Sequence, residues 1–246
     1  MMDRVRRWAG LAVFLMAVVL SIMNVFISNV ALPVIQEALN ATPGELQMIV
    51  AGYNLVFGIF LIAGGRMGDL FGIRRMFLIG LALFSAASAA SAAAPSATLL
   101  AVARAVQGLG AAFAIPQVLS YIQVSFTGRD RTVALGAYAA AGGFASSIAQ
   151  LAGGWLIGRD LLGTGWRAIY AFPVPVGVAA LIAAAVLVKE IRRDARNRER
   201  LDVAGLILMS AALFTLCLPL AFGTEWGWPW WLILALASSP LFVFLF

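Results

Sequence analysis

Histidine is absent from the 246 residues, which removes the usual proton shuttle and the commonest metal ligand. A single cysteine, Cys217, lies in an apolar run and permits no intramolecular disulfide. Charge is scarce: 11% of the residues are charged, against roughly 25% in a soluble domain. With 63% hydrophobic residues the chain cannot cover its own surface with polar groups, so that surface faces lipid. Carboxylates are scarcer still, and no Asp or Glu falls deep inside any long apolar run. The chain shows no Ser/His/Asp arrangement, no metal-ligand cluster and no phosphate-binding loop. That is not an enzyme's pattern, and it calls for no cofactor. A net charge of +6 would suggest nucleic acid in a soluble chain. Here the basic residues sit in short segments between apolar runs, where orientation in a bilayer explains them.

What is present is a series of membrane-length segments. About 20 apolar residues cross the hydrocarbon, and eight stretches qualify: 10–32, 46–65, 75–94, 98–125, 133–157, 167–188, 203–222 and 228–246. They are too long, and alternate too little, for the strands of a barrel. The first follows Arg4, Arg6 and Arg7 as a signal peptide would, but it runs on without a prompt small-residue cleavage site. With the N-terminus inside, 14 of the 17 basic residues fall on inner segments, and only Arg159 and Arg167 fall outside. Residues 189–202 form a charged run, either a solvated cytoplasmic linker or a surface helix on anionic lipid. A sequon at Asn40-Ala41-Thr42-Pro43 matters only in a secretory compartment. The last run reaches Phe246 without a flanking charge, so the chain is expected to be the first part of a longer protein.

Ala63-Gly64-Gly65 is echoed 89 residues later by Ala152-Gly153-Gly154. The first copy closes the second segment and the second closes the fifth, on opposite sides of the membrane. Two three-helix units of inverted topology are thereby expected. Gly142, Gly143, Gly153 and Gly154 make the fifth segment a close-packing helix.

Between the second and third segments stands an eleven-residue polar break, from Gly65 to Arg75. Gly65, Gly68 and Gly72 suit a tight turn. Asp69 is placed to accept hydrogen bonds from the next helix N-terminus, or to pair with Arg129 or Arg131 in one gating state. Arg74 and Arg75 sit at the inner interface. The expectation is a short loop that acts as a gating hinge. Arg104, one to two turns inside the fourth segment, is a costly cation unless it meets a polar cavity or partner. It either lines a cavity together with Gln107 or snorkels to the outer interface. Gly108 and Gly110 allow close helix packing. Ser21, Asn24 and Ser28 share one face of the first helix, as cavity wall or as helix contact. Gln117 and Tyr121 lie four apart beside Pro116, which is expected to kink the helix.

The pattern G-x-M-G-D-x-x-G-x-R-R at 65–75 resembles the signature loop of the major facilitator superfamily. The stretch Leu100-x-x-x-Arg104-x-x-Gln107-Gly108-x-Gly110-Ala111-Ala112 resembles that superfamily's fourth-helix motif. Asn29-Val30-Ala31-Leu32-Pro33, Trp166-Arg167 and the seventh and eighth segments resemble its fourteen-helix drug-efflux branch. The resemblance implies an all-α membrane protein: a six-helix N-terminal bundle over 1–188, a linker over 189–202 and two extra helices over 203–246. It implies alternating-access export of small, drug-like molecules across the cytoplasmic membrane, often coupled to protons, with a second bundle as partner. Within it, residues 65–75 gate, Arg104, Gln107, Gly108 and Asn24 line or tune the cavity, and Gln117, Tyr121 and Ser28 contact substrate. Two positions depart from the branch. Its helix-1 carboxylate is replaced by Asn24, and its helix-5 Gly-Pro by Ala149-Gln150. A side chain that does not titrate carries no coupling proton, and Arg104 does not release its own. Either the coupling carboxylates lie in a further half or the chain is not a proton antiporter. An Arg104 without an acidic partner favours anionic or neutral substrates. The rival reading is a sensor or assembly protein that keeps the transporter fold without transporting.

Overall fold

The computed structural model describes residues 2–159, 164–190 and 202–245, and among them every regular element is helical. The helices are α1 (Met2–Leu39), α2 (Pro43–Phe71), α3 (Ile73–Ala92), α4 (Ala97–Ser125) and α5 (Gly128–Gly158). A one-turn 3-10 helix (Gly165–Arg167) leads into α6 (Ala168–Ala171), α7 (Pro173–Leu187), α8 (Val203–Phe222) and α9 (Trp230–Leu245). Most of the charged run 189–202 lies outside the described residues.

Local chemistry sets the starts. Thr42 and Glu45 close a capping box on α2, each side chain satisfying the other's backbone N–H. Ser96 accepts from the Leu99 N–H at the start of α4, and Asp202 accepts from the Gly205 N–H at the start of α8. Thr98 donates to Glu45 at 3.0 Å, which ties the start of α4 to the start of α2.

Among the described residues seven spans are long and apolar enough to cross a membrane, one fewer than the eight expected. The eighth, α9, has 16 residues, which is about 24 Å of helix against a hydrocarbon core of about 30 Å. It begins only at Trp230, because Gly227 and Trp228 take positive φ and Pro229 follows them. The sixth segment is interrupted at Phe172, just before Pro173, whose missing N–H interrupts the helical ladder.

A second correction concerns the polar break. Gly65 to Phe71 is not a loop: α2 runs through it, and only Gly72, at φ 104°, separates α2 from α3. Of the three glycines expected to form the turn, Gly72 does so, whereas Gly65 and Gly68 lie within α2, whose neighbouring glycines serve packing. A Cβ on Gly64 would strike the Ala112 carbonyl oxygen, and one on Gly68 would strike the Gln117 side chain. Gly72 alone needs the conformation that an L side chain avoids.

The packing is two-fold in pattern. Helix α4 lies against α2 and α3, and α1 lies against α5 and α7. Each unit's first helix is thus embraced by the second and third elements of the other, as inverted three-helix repeats require. One glycine of each echoed pair falls at such a contact. Gly64 meets α4, and Gly153 meets Ile27 and Val30 of α1. Helices α8 and α9 pack on each other, and α8 also lies against α2. One apolar cluster gathers Leu11, Phe14, Phe77, Val118 and Tyr121 towards one end of the bundle. A second gathers Ile27, Ile35, Ile49, Leu100 and Trp166 towards the other.

Candidate functional site

Between those two clusters lies a polar layer. Its centre is Arg104 of α4, only 1% exposed, so it does not snorkel to an interface. Its Nη1 donates to the Asn24 side-chain oxygen on α1 and to the Gln107 oxygen at 2.6 Å. Its Nε donates to the Ile49 carbonyl on α2 at 3.2 Å. The guanidinium lies 4.4 Å from the ring centre of Tyr53 and 5.6 Å from that of Tyr170. Gln107 passes the network on by donating to Ser88 at 3.0 Å, and Ser88 donates to the Tyr170 carbonyl at 3.0 Å. Ser21 and Tyr53 share a hydrogen bond of 2.7 Å.

Magnitudes show why the cation is tolerated. A cation at a helix centre costs about 2.5–3.5 kcal/mol on an insertion scale. Three interhelical or local hydrogen bonds return roughly 2 kcal/mol, and a desolvated cation–π contact about 2 more. The offset is close to complete, and it comes entirely from neutral partners. Two donors in the same layer, Asn24 Nδ2 and the Tyr170 hydroxyl, are buried without a hydrogen-bond partner among the described residues. A buried cation flanked by two unused donors is an arrangement whose hydrogen-bonding capacity an acceptor or an anion would satisfy.

The other expected residues fall elsewhere. Gly108 meets the Tyr53 backbone and holds α2 against α4 beside Arg104. Ser28 is fully buried and bonds back to the Asn24 carbonyl at 2.6 Å. Gln117 is buried at the α2–α4 contact, donating to the carbonyls of Gly64 at 2.8 Å and Phe113 at 3.0 Å. Tyr121 lies near the start of α1, donating to the Arg7 carbonyl at 3.0 Å and stacking on Phe14. Of the fifth-helix glycines, Gly142 and Gly153 face α1, whereas Gly143 and Gly154 face open space.

At the α2–α3 junction, Arg74 donates to the Ala185 carbonyl at 2.6 Å, and its backbone N–H donates to Glu190 at 3.3 Å. Arg75 stands 3.8 Å from the same carboxylate. This junction is therefore pinned to the end of α7. Glu190 escaped the sequence reading because it sits in the charged run, where nothing marks it from its neighbours. Tyr53, Tyr170 and Ser88 escaped it as well. Their one signal was rarity, since the chain has only four tyrosines and two of them flank Arg104.

The sequence profile described as Major Facilitator Superfamily matches residues 14–246. The chain belongs to the major facilitator superfamily. Similar superfamily members include the "Probable actinorhodin transporter" of Streptomyces coelicolor, 37% identical over 97% of this chain and 41% of that protein. The "Tetracenomycin C resistance and export protein" of Streptomyces glaucescens is 34% identical over 92% of this chain and 41% of its own length. The "Puromycin resistance protein" of Streptomyces alboniger is 37% identical over 91% of this chain and 43% of its own length. The chain thus spans about two fifths of the length of these curated relatives. Among solved structures, tetrameric PepTSo2 superposes with a TM-score of 0.65 at 14% identity, over 86% of this chain and 49% of that one. This likeness supports the superfamily fold alone. With its superfamily membership and its apolar spans, the chain is a multi-pass membrane protein.

Proposed function

We propose that this chain supplies the first six-helix bundle and two added helices of an exporter of small organic molecules, working by alternating access. In this reading residues 1–188 form the bundle, 189–202 the linker and 203–246 the added pair. The relatives named for export and resistance support the class. The excess of basic residues in alternate segments supports a cytoplasmic N-terminus in the cytoplasmic membrane.

The observation that carries the substrate preference is Arg104 itself, buried, charged and held only by neutral groups. With no carboxylate beside it, its charge is left for a ligand. The flanking Asn24 Nδ2 and Tyr170 hydroxyl add two further hydrogen-bond donors and no charge. The substrate is accordingly anionic or neutral with acceptor oxygens, not an organic cation. Arg104 and Gln107 tune the site, and Asn24 contacts the solute directly. The polar layer is closed in this conformation, so access requires α1 and α2 to part from α4. The Gly72 joint between α2 and α3, pinned through Arg74, Arg75 and Glu190, is where such a movement is controlled. Among the described residues this layer holds no carboxylate and no imidazole, the usual carriers of a coupling proton, so in this reading such a proton is carried elsewhere in the full protein or not at all.

The test is flux of matched anionic, neutral and cationic members of one aromatic series through the full-length protein in sealed vesicles. Anionic and neutral members should be transported well above the cationic one. A clear preference for the cation overturns the substrate assignment, and no flux of any member favours the sensor reading.

A further inference from the structure

Four of the chain's seven tryptophans, Trp226, Trp228, Trp230 and Trp231, cluster where α8 turns into α9. All four are exposed, Trp230 at 73%. The turn holds them in place. The Trp228 N–H donates to the Gly223 carbonyl at 2.8 Å. Trp228 itself takes φ 50°, which a residue with a Cβ adopts only where its surroundings impose it. Its ring folds back over Gly223, where a Cβ would stand 2.8 Å from Trp228 Cε2. Trp226 stacks on buried Phe222 with ring centres 5.0 Å apart, and its ring centre is 5.6 Å from that of Trp231. Exposed aromatic surface held this firmly marks a contact with something outside the chain.

The depth of the turn follows from the helices beside it. Helix α8 runs antiparallel to α2. Ser210 donates to the Ile59 carbonyl at 3.3 Å, and Gln47, near the start of α2, donates to the Ala221 carbonyl near the end of α8. A Cβ on Gly44 would stand 2.7 Å from Glu225 Oε1, so the turn reaches the first residues of α2. Glu45, the next residue, accepts from Thr98 at the start of α4 at 3.0 Å. The apolar runs 46–65, 98–125, 203–222 and 228–246 therefore all begin or end at one level. A level at which four membrane-length runs stop is the boundary between hydrocarbon and water. The tryptophans stand on it. Because α1 crosses once before α2 begins, this boundary belongs to the leaflet opposite the N-terminus.

We propose that residues 223–231 anchor the chain in the headgroup and glycerol layer of that leaflet, and that they fix the depth of the α2 start, to which Gln47 and the Glu225 contact tie them. Indole has a large apolar face and one N–H donor. That suits a layer with hydrocarbon on one side and phosphate and ester oxygens on the other. A leucine-rich turn would be drawn into the hydrocarbon and a polar turn into water, whereas rings of this kind hold a turn at the boundary. The exposed Glu225 lies on the same turn, and at this level its charge stays in water.

The experiment uses the full-length protein in phosphatidylcholine vesicles containing lipid brominated either near the glycerol or near the chain end, with iodide as the aqueous quencher. The Trp230 signal is isolated by difference from Trp230→Phe, a conservative change at the most exposed of the four rings. Shallow bromine should quench Trp230 roughly twofold more than either deep bromine or iodide does. Quenching mainly by iodide would put the turn in water, and quenching mainly by deep bromine would put it in the hydrocarbon. Quenching by none of the three would put it under another part of the protein or a second copy. Each of these outcomes overturns the proposal. The tie to α2 is read by a nitroxide at Met48→Cys, exposed on the second turn of α2, through its relaxation by a water-soluble nickel chelate. Replacing all four tryptophans by leucine draws the turn towards the hydrocarbon, so nickel accessibility at position 48 should fall roughly twofold. The same label at Leu151→Cys, exposed on α5, should not respond. An unchanged reading at 48, or an equal fall at 151, overturns the tie.

Discussion

Replacing Arg104 by Gln separates the two roles that a buried arginine can play. The substitution removes a cation whose burial costs about 2.5–3.5 kcal/mol. It also removes the stacking on Tyr53 and Tyr170, about 2 kcal/mol. Glutamine still carries two N–H donors for Asn24 and Gln107, so about one hydrogen bond, that to Ile49, is lost at roughly 0.6 kcal/mol. These effects nearly cancel. Stability of Arg104→Gln should stay within about 1 kcal/mol of the parent, a change of about 2–4 °C in Tm for a chain of this size. Transport should not be spared. A charge-assisted hydrogen bond is worth about 1.5–3 kcal/mol, so the apparent KM for an anionic solute should rise roughly 10–100-fold. A neutral analogue should change less than about threefold. Fluorescence-detected size-exclusion chromatography over a temperature series reads the first quantity, and vesicle flux reads the second. If Arg104→Gln melts the protein, or lowers anionic and neutral flux alike, then Arg104 is a structural cation and the substrate assignment fails.

Three further outcomes follow from the same geometry. A Cβ on Gly110 would stand 2.5 Å from the Phe84 nitrogen and 2.8 Å from the Gly80 oxygen, whereas one on Gly154 meets nothing within 4 Å. Gly110→Ala should therefore destabilise by about 1–3 kcal/mol and Gly154→Ala by less than about 0.5 kcal/mol, as thermal unfolding would show. Gly72→Ala places a Cβ at φ 104° against the Glu190 carboxylate and should cost about 1–3 kcal/mol. Glu190→Ala should not restore it, because the strain lies in the backbone; full rescue would show that the clash alone mattered. Asn24→Asp sets a carboxylate beside Arg104 and occupies its charge. Flux of anionic solutes should fall at least tenfold and that of cations should gain, and unchanged anionic flux would contradict the role given to Arg104.

The sequence displayed some of this architecture openly and hid the rest for physical reasons. Apolar run length located the crossings, since lipid forces every backbone group into a helix. It misjudged the break after Gly65, because glycine and charge are read as turn formers while helix packing in a membrane uses glycine for close approach. Gly64 and Gly68 are glycines within α2 because Ala112 and Gln117 lie where side chains would otherwise go. Arg104, Gln107 and Asn24 stood out as polar residues in apolar surroundings, and the structure joins all three by hydrogen bonds. Gln117, Ser28 and Tyr121 stood out in the same way, yet each is buried in a helix contact. Polarity within a span identifies a residue that needs a partner, and only geometry says whether that partner is protein or solute.

That distinction bears on how the bundle holds a charge without an acid. Arg104 bridges α1 through Asn24, α2 through Ile49 and Tyr53, and α6 through Tyr170. One side chain thus ties both three-helix units across the plane where two apolar clusters meet. A carboxylate at position 24 would complete an ion pair and make that tie permanent in either conformation. An amide oxygen gives a weaker bond, which a solute carrying negative charge can displace. Under the proposed function, Asn24 would be what leaves Arg104 able to exchange a protein partner for a ligand. Motion of α1 and α2 away from α4 would follow from that exchange, with the Gly72 joint as the place where the backbone yields.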